Sequence, residues 1–408
     1  MTLPTWNLNQ FYGSIEDNQI NKDFKTLINK SKNFQKKYRG KLGSLTSNSL
    51  LRSLKEYEKI EEVILKIQSF AYLSYCTDQL LDKFKKFYQE VEEKLSNIEK
   101  NLIFYGIELN NLSKKQLGCF DDTKYVNWIK NHRKFKKYQK SEDNEKLLME
   151  KSITSTSAWV KFFDQSMARL RFKFNGKSLT ETEILNLLSS TDSNIRKNAA
   201  KVFGNTLKEN IFNFSFIMNT ISKDLDINKN IRGFEYSESS RHLSNQIDKS
   251  DVDCLVETAT NNYSEICHRY YKYKAKFFGN KKLNYWDRNA PYPKQKDLKI
   301  SWNEAKNIVV NAYNEFDERF GKIANLFFKN SWIHAQVKKG KTSGAFSHPT
   351  VPSCHPCILI NYQGKIRDVM TLAHELGHGI HQYLANKNGV LLAETPLTLA
   401  ETASVFGE

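Results

Sequence analysis

The chain has 408 residues, 39% of them hydrophobic, which is enough for two or three lobes rather than one compact core. It has no run of eighteen apolar residues, so no membrane-spanning helix is expected. Six cysteines in that length are too few for a disulfide scaffold. The formal net charge of +17 comes from 62 basic against 45 acidic residues. Such a balance raises nucleic acid as a partner, and a basic helical nucleic-acid-binding protein is the competing function class. The lysines are dispersed, however, and no nucleic-acid motif accompanies them, so the charge reads as a solvated surface.

The start, Met1 to Trp6, has no basic n-region and no apolar h-region, so it does not read as a secretory signal, and a cytoplasmic location is expected. Between Pro4 and Pro291 there is no proline. Proline breaks the helical hydrogen-bond ladder, so this stretch predicts continuous helices. Leu50, Leu54, Tyr57, Ile60, Ile64, Ile67 and Ala71 recur at helical spacing. Leu81, Phe84, Tyr88, Val91, Leu95, Ile98, Leu102 and Tyr105 predict a second long helix, one arm of a helical hairpin. Both stripes read as core.

Residues 178–228 read as further helix, broken at Ser190-Thr191-Asp192 with capping character. Residues 281–300 read as an irregular aromatic-rich link, with helix resuming at Trp302. Near residue 342 the character changes. Ser343-Gly344-Ala345-Phe346-Ser347 and Cys357-Ile358-Leu359-Ile360-Asn361-Tyr362 predict two short strands joined by a proline-rich loop. Cys354 and Cys357 have a redox-dithiol spacing, but a strand follows rather than a helix, so they read as structural.

After Gly364 a helix is expected from about Arg367-Asp368, burying Val369, Leu372, Ala373, Leu376, Ile380 and Leu384. It contains His374-Glu375-Leu376-Gly377-His378. Histidines four apart project from one face, one turn apart, and two such imidazoles suit one tetrahedral zinc ion. Glu375 is placed to take a proton from a water on the ion and pass it to a leaving amine. Gly377 and Gly379 each cost about 1 kcal/mol in a helix, a cost that makes sense if a second helix or a ligand comes close. Thr395-Pro396 reads as the start of another helix, with threonine as cap. On it Leu397, Glu401, Ser404 and Glu408 share a face. Glu401 is the expected third ligand and Glu408 a hydrogen-bond partner for a liganding imidazole. Glu394, just before the cap, is the competing third ligand.

These residues resemble a known family. His374-Glu375-Leu376-Gly377-His378-Gly379-Ile380-His381-Gln382 is similar to the zinc helix of the thimet oligopeptidase family, nearest to its oligoendopeptidase F branch. Ala400-Glu401-Thr402-Ala403-Ser404-Val405-Phe406-Gly407-Glu408 resembles that family's third-ligand helix. Gly344-Ala345-Phe346, Ile358-Leu359-Ile360-Asn361-Tyr362 and Trp286-Asp287-Arg288-Asn289-Ala290-Pro291 look like further segments of the same branch. The resemblance implies a mainly α helical clamshell, two lobes around a deep channel, with a small β-sheet beside the zinc helix. It implies an N-terminal helical lobe over 1–190, of which about 115–180 resembles the branch's N-terminal domain. Residues 195–408 would be the first part of a catalytic domain.

The implied activity is zinc-dependent hydrolysis of short unfolded peptides. His374, His378 and Glu401 would bind one zinc ion, Glu375 would be the general base, and Glu408 would support a ligand. Gly344, Ala345, Phe346 and His381 are candidate substrate contacts, and His381 also reads as a packing or hydrogen-bonding residue rather than a ligand. The family's downstream His and Tyr cluster has no counterpart before Glu408. The reading therefore expects a C-terminally incomplete site, weak or inactive until its C-terminal part is supplied, since loss of one oxyanion donor costs about 10² to 10³ in rate.

Overall fold

The computed structural model describes residues 3–292 and 298–408. Residues 293–297 of the expected aromatic-rich link, and residues 1 and 2, lie outside the described residues. The chain is mainly α-helical, with two small sheets. No helix of the described residues is long and apolar enough to cross a membrane.

The predicted hairpin is present as Ser47–Thr77 and Asp82–Glu99. Thr46 caps the first helix by accepting from Ser49 N–H at 3.3 Å. The second stripe does not form a single helix. The chain turns at 100–102 and resumes as Ile103–Asn111, and Leu81 is 40% exposed. A run of threes and fours is equally met by two helices whose joint keeps the same side inward. Tyr105 still enters the core, with its hydroxyl 2.9 Å from Ser53 Oγ.

Helices Glu181–Leu187, Ser193–Glu209 and Ile211–Arg232 occupy most of the next predicted segment. Asp192 caps the second at the expected break, accepting from Asn194 N–H at 2.7 Å. Ser178 and Leu179, however, are not helical. Strands β1 (Phe172–Phe174) and β2 (Lys177–Leu179) form an antiparallel hairpin across Asn175-Gly176, both at positive φ. Asn-Gly is the favoured pair for such a turn, because both residues must adopt left-handed backbone. A buried ion pair follows: Arg196 Nη2 donates to Asp287 Oδ1 at 2.6 Å. It ties the helical region to the link at Tyr285–Asp287, where a short 3₁₀ turn forms.

The second sheet has three strands, β3 (Ile333–His334), β4 (Phe346–His348) and β5 (Cys357–Leu359), in the order β3-β5-β4. β3 lies parallel to β5 and β4 antiparallel to it. The strand β3 has only two residues, too few for periodicity to show. Gly344 precedes β4 rather than lying in it, at φ +75°. Strand β5 is buried on both faces and divides its side chains between two cores. Cys357 and Leu359 join the core built on the N-terminal helices, while Ile358 and Ile360 join the core built on residues 305–380. Cys354 and Cys357 are free thiols, and burial pushes both up in pKa, as suits structural residues.

Candidate metal centre

The helix carrying His374 runs Ile366–Ala385. Asp368 in its first turn accepts from Gln363 N–H at 2.8 Å and Lys365 N–H at 3.0 Å, which fixes how the chain enters it. Val369, Leu372, Ala373, Leu376 and Ile380 are buried as expected, whereas Leu384 is 39% exposed because the last turn runs past the core. Gly379 faces Phe327, where an added Cβ would meet the ring at 2.7 Å.

The helix carrying Glu401 runs Leu397–Gly407 and begins after Pro396, one residue later than the threonine cap predicts. It crosses the His374 helix at Gly377, where an added Cβ would fall 2.5 Å from the Ala403 carbonyl oxygen. Only glycine allows the two backbones so close. That approach brings His374, His378 and Glu401 together, with one donor atom from each within 4.8 Å of the others. His374 Nε2 lies 3.3 Å from Glu401 Oε2, and His378 Nε2 lies 3.7 Å from Glu401 Oε1. Ligands about 2.0–2.1 Å from a tetrahedral zinc ion stand about 3.3 Å apart, so this donor set fits one.

Neighbouring side chains hold the donors in place. Ser404 Oγ, buried, donates to Glu401 Oε2 at 2.9 Å. Glu408 Oε1 lies 2.8 Å from His374 Nδ1, so with Nδ1 protonated, Nε2 is left as a lone-pair donor. Burial holds the His378 imidazole below its usual pKa, against the pull of Glu401. A neutral ring is the form that binds a metal.

Glu375 faces inward and is 6% exposed, and its Oε2 has no hydrogen-bond partner among the described residues. Burial, helped by the Glu401 charge, pushes its carboxyl up to about 7. Glu394 is exposed and stands outside the cluster. His381 is half-buried on the same helix and is likewise outside it.

A cavity of about 940 Å³ runs alongside, lined among others by Gly344, Ala345, Asn361 and Tyr270. It reaches the His374 helix at Arg367, Asp368 and Thr371, one turn before His374. Phe346 is not among its lining residues. Its ring packs on Tyr72, with centroids 5.8 Å apart. Asn361 Nδ2 donates to the carbonyls of Thr342 and Gly344, both at 3.0 Å, and so shapes the cavity wall.

Two contributors were not singled out from the sequence. Gln382 Nε2 donates to the Ser347 carbonyl at 3.1 Å, fastening β4 to the His374 helix. Tyr313 Oη donates to the Ala373 carbonyl at 2.8 Å. The Gln382 position lies in the quoted motif. Tyr313, 60 residues upstream of Ala373, shows only as one more core position after Ala305 and Val309.

Two imidazoles and a carboxylate around one point, beside a buried carboxyl that titrates near neutrality, form a donor set of the metallohydrolase kind. The chain belongs to peptidase family M3, whose family model matches residues 186–408. A second model, described as oligopeptidase F, matches residues 108–172. The chain is 25% identical over 427 residues to oligopeptidase PepF of Bacillus subtilis, covering 99% of this chain and 61% of that one. It is 28% identical over 348 residues to an oligoendopeptidase F homolog of Borreliella burgdorferi, covering 82% and 58%. A crystal structure described as an oligoendopeptidase F from Bacillus anthracis shares the fold, with TM-score 0.77 and 15% identity over 96% of this chain and 69% of that one. The chain thus spans about three fifths of the length of the curated relatives it matches. Thimet oligopeptidase names a different branch of family M3; the likeness here runs to oligoendopeptidase F.

Proposed function

We propose that this chain carries the metal-binding site of a zinc-dependent oligoendopeptidase that cleaves short unfolded peptides. The observation that carries this reading is the meeting of His374, His378 and Glu401 beside the buried carboxyl of Glu375. His374, His378 and Glu401 would hold a zinc ion, which would supply Lewis-acid polarisation of a carbonyl and acidify a water.

The chain's own residues account for the proton transfers. The Glu375 carboxylate accepts a proton from the attacking water in one step and returns it to the departing amine in the next. Glu408 holds His374 as the tautomer with Nε2 free. Ser404 holds the Glu401 carboxylate in one orientation.

The cavity beside Thr371 provides room for part of an extended peptide. β4 is the sheet edge on that side. Phe346, Ser347 and His348 all face partners on β5, and the Ser347 carbonyl points outward, where Gln382 donates to it. Ala345, two residues back, is the position left to hold a substrate main chain. Gly344 beside it permits close approach.

The test is zinc content together with cleavage of quenched peptides of graded length. Bound zinc, loss of cleavage on chelation and loss on Glu375→Gln are the expected results. A well-folded protein that takes up no zinc would overturn the reading.

A second reading keeps the zinc site but assigns turnover to this chain together with further polypeptide. It is supported by the apolar side chains that the Glu401 helix exposes, namely Leu397, Leu399, Val405 and Phe406. Cleavage that appears only when the C-terminal region of an oligoendopeptidase F is added would favour it.

A further inference from the structure

The geometry points to Tyr313 as a positioning residue for the metal centre, acting through the turn that presents Glu408 to His374. This rests on the zinc reading above and adds a residue to it. Tyr313 stands on the helix Trp302–Phe316, a separate element from both helices of the site. Its ring is buried and its hydroxyl donates to the carbonyl oxygen of Ala373, the residue before His374. Burial pushes the phenol up in pKa, so it remains a neutral donor.

The end of the Glu401 helix rests on this hydrogen bond. A Cβ added at Gly407 would collide with Tyr313 Oη and come within 2.9 Å of the Ala373 oxygen. The glycine is therefore pressed against both partners of the bond at once. The next residue is Glu408, whose Oε1 reaches His374 Nδ1 at 2.8 Å. Three contacts thus meet at Gly407 and Glu408. Tyr313 fixes the backbone under His374, Gly407 is seated on that contact, and Glu408 closes onto the His374 ring. Phe406 pins the same turn from outside, its ring 4.6 Å from Phe316 on the Tyr313 helix. The hydroxyl brings a polar atom to this seat from a third element. A tyrosine serving core packing alone would be replaceable by phenylalanine without consequence for His374.

The experiment compares wild type with Tyr313→Phe, Glu408→Gln, the double variant, and Gly407→Ala, which displaces the turn from the other side. Two quantities are read. The first is the ¹⁵Nδ1 resonance of His374 in metal-free, ¹⁵N-histidine-labelled protein. The second is zinc affinity by competition with a chromophoric chelator, with zinc alone as probe. Partners that orient a metal-bound histidine commonly carry about 10- to 100-fold in affinity. Tyr313→Phe is expected to broaden or lose the resonance and to weaken zinc roughly tenfold at unchanged circular dichroism. Added to Glu408→Gln, it should weaken zinc little further, because both act on one contact. Gly407→Ala should reproduce the loss. An unchanged resonance in Tyr313→Phe and Gly407→Ala overturns the inference, whatever the zinc result. Losses that simply add in the double variant also overturn it, since Tyr313 would then act elsewhere. Wild type that keeps the resonance but binds no zinc overturns the zinc reading instead, and the resonance still decides the positioning link.

Discussion

Gly377 and Ser404 are in backbone contact: a Cβ at 377 would lie 2.8 Å from Ser404 Cα. The two helices of the site meet at this point, and the Glu401 carboxylate reaches the two imidazoles only because they do. Gly377→Ala should force the helices apart. Overpacking of this kind costs about 1–3 kcal/mol. Zinc affinity is expected to fall at least tenfold, with a lower melting temperature. Calorimetric titration with zinc checks it, and wild-type affinity in the variant would refute the geometry.

Glu375→Gln keeps the shape of the side chain and removes its basicity. Zinc content should stay at the wild-type level, because Glu375 is not among the three donors. Cleavage of a quenched peptide should fall by about 10² to 10⁴. Retained cleavage with zinc bound would show that another group moves the proton.

Ala345→Pro removes one N–H at the outward edge near the cavity. KM for a short peptide should rise several-fold while zinc affinity is unaffected. Unchanged KM would remove the edge from the substrate's path.

Glu99 offers a pH-dependent prediction away from the site. Burial, reinforced by Glu61, pushes its carboxyl from 4.5 up to about 7. A carboxyl with a raised folded pKa binds its proton more tightly when folded. Its contribution is therefore fully present below pH 4.5 and is lost as pH rises through 7. Glu99→Gln should be more stable than wild type at pH 8, and the difference should shrink on acidification. Urea unfolding midpoints at pH 5 and pH 8 measure it, and a difference independent of pH would contradict the assignment.

If His374, His378 and Glu401 hold zinc only when the folded chain brings them together, zinc should raise the melting temperature. At a free concentration 100 times Kd the gain is about 2.7 kcal/mol. Thermal scans with and without a chelator test this, and coincident curves would argue against a folded-state site.

The helix pair at the site was legible because its signals are local. Histidines four apart, glycines placed against propensity, and an acid one helix later all lie within 35 residues of chain, from His374 to Glu408. The helix Ser47–Thr77 was equally readable, since one face stays buried from Leu50 to Ala71. The Asn175-Gly176 hairpin was readable too, but its strands of three residues were absorbed into a helical expectation. Other features had no local signal. The break at 100–102 leaves hydrophobic spacing intact. Strand β3 is defined only by its hydrogen bonds to β5, such as Ile358 N–H to the Trp332 carbonyl at 2.9 Å. Tyr313 finds its role through a carbonyl on another helix, a relation that no spacing encodes.

Strand β5 sends alternate side chains into two different cores. A slip of one residue along β3 and β4 would exchange both sets together, placing Ile358 where Cys357 and Leu359 belong. Neither core can therefore loosen at this wall without disturbing the other. The region around residues 357–360 couples them into one cooperative unit, and a melt followed at either core should report the same transition.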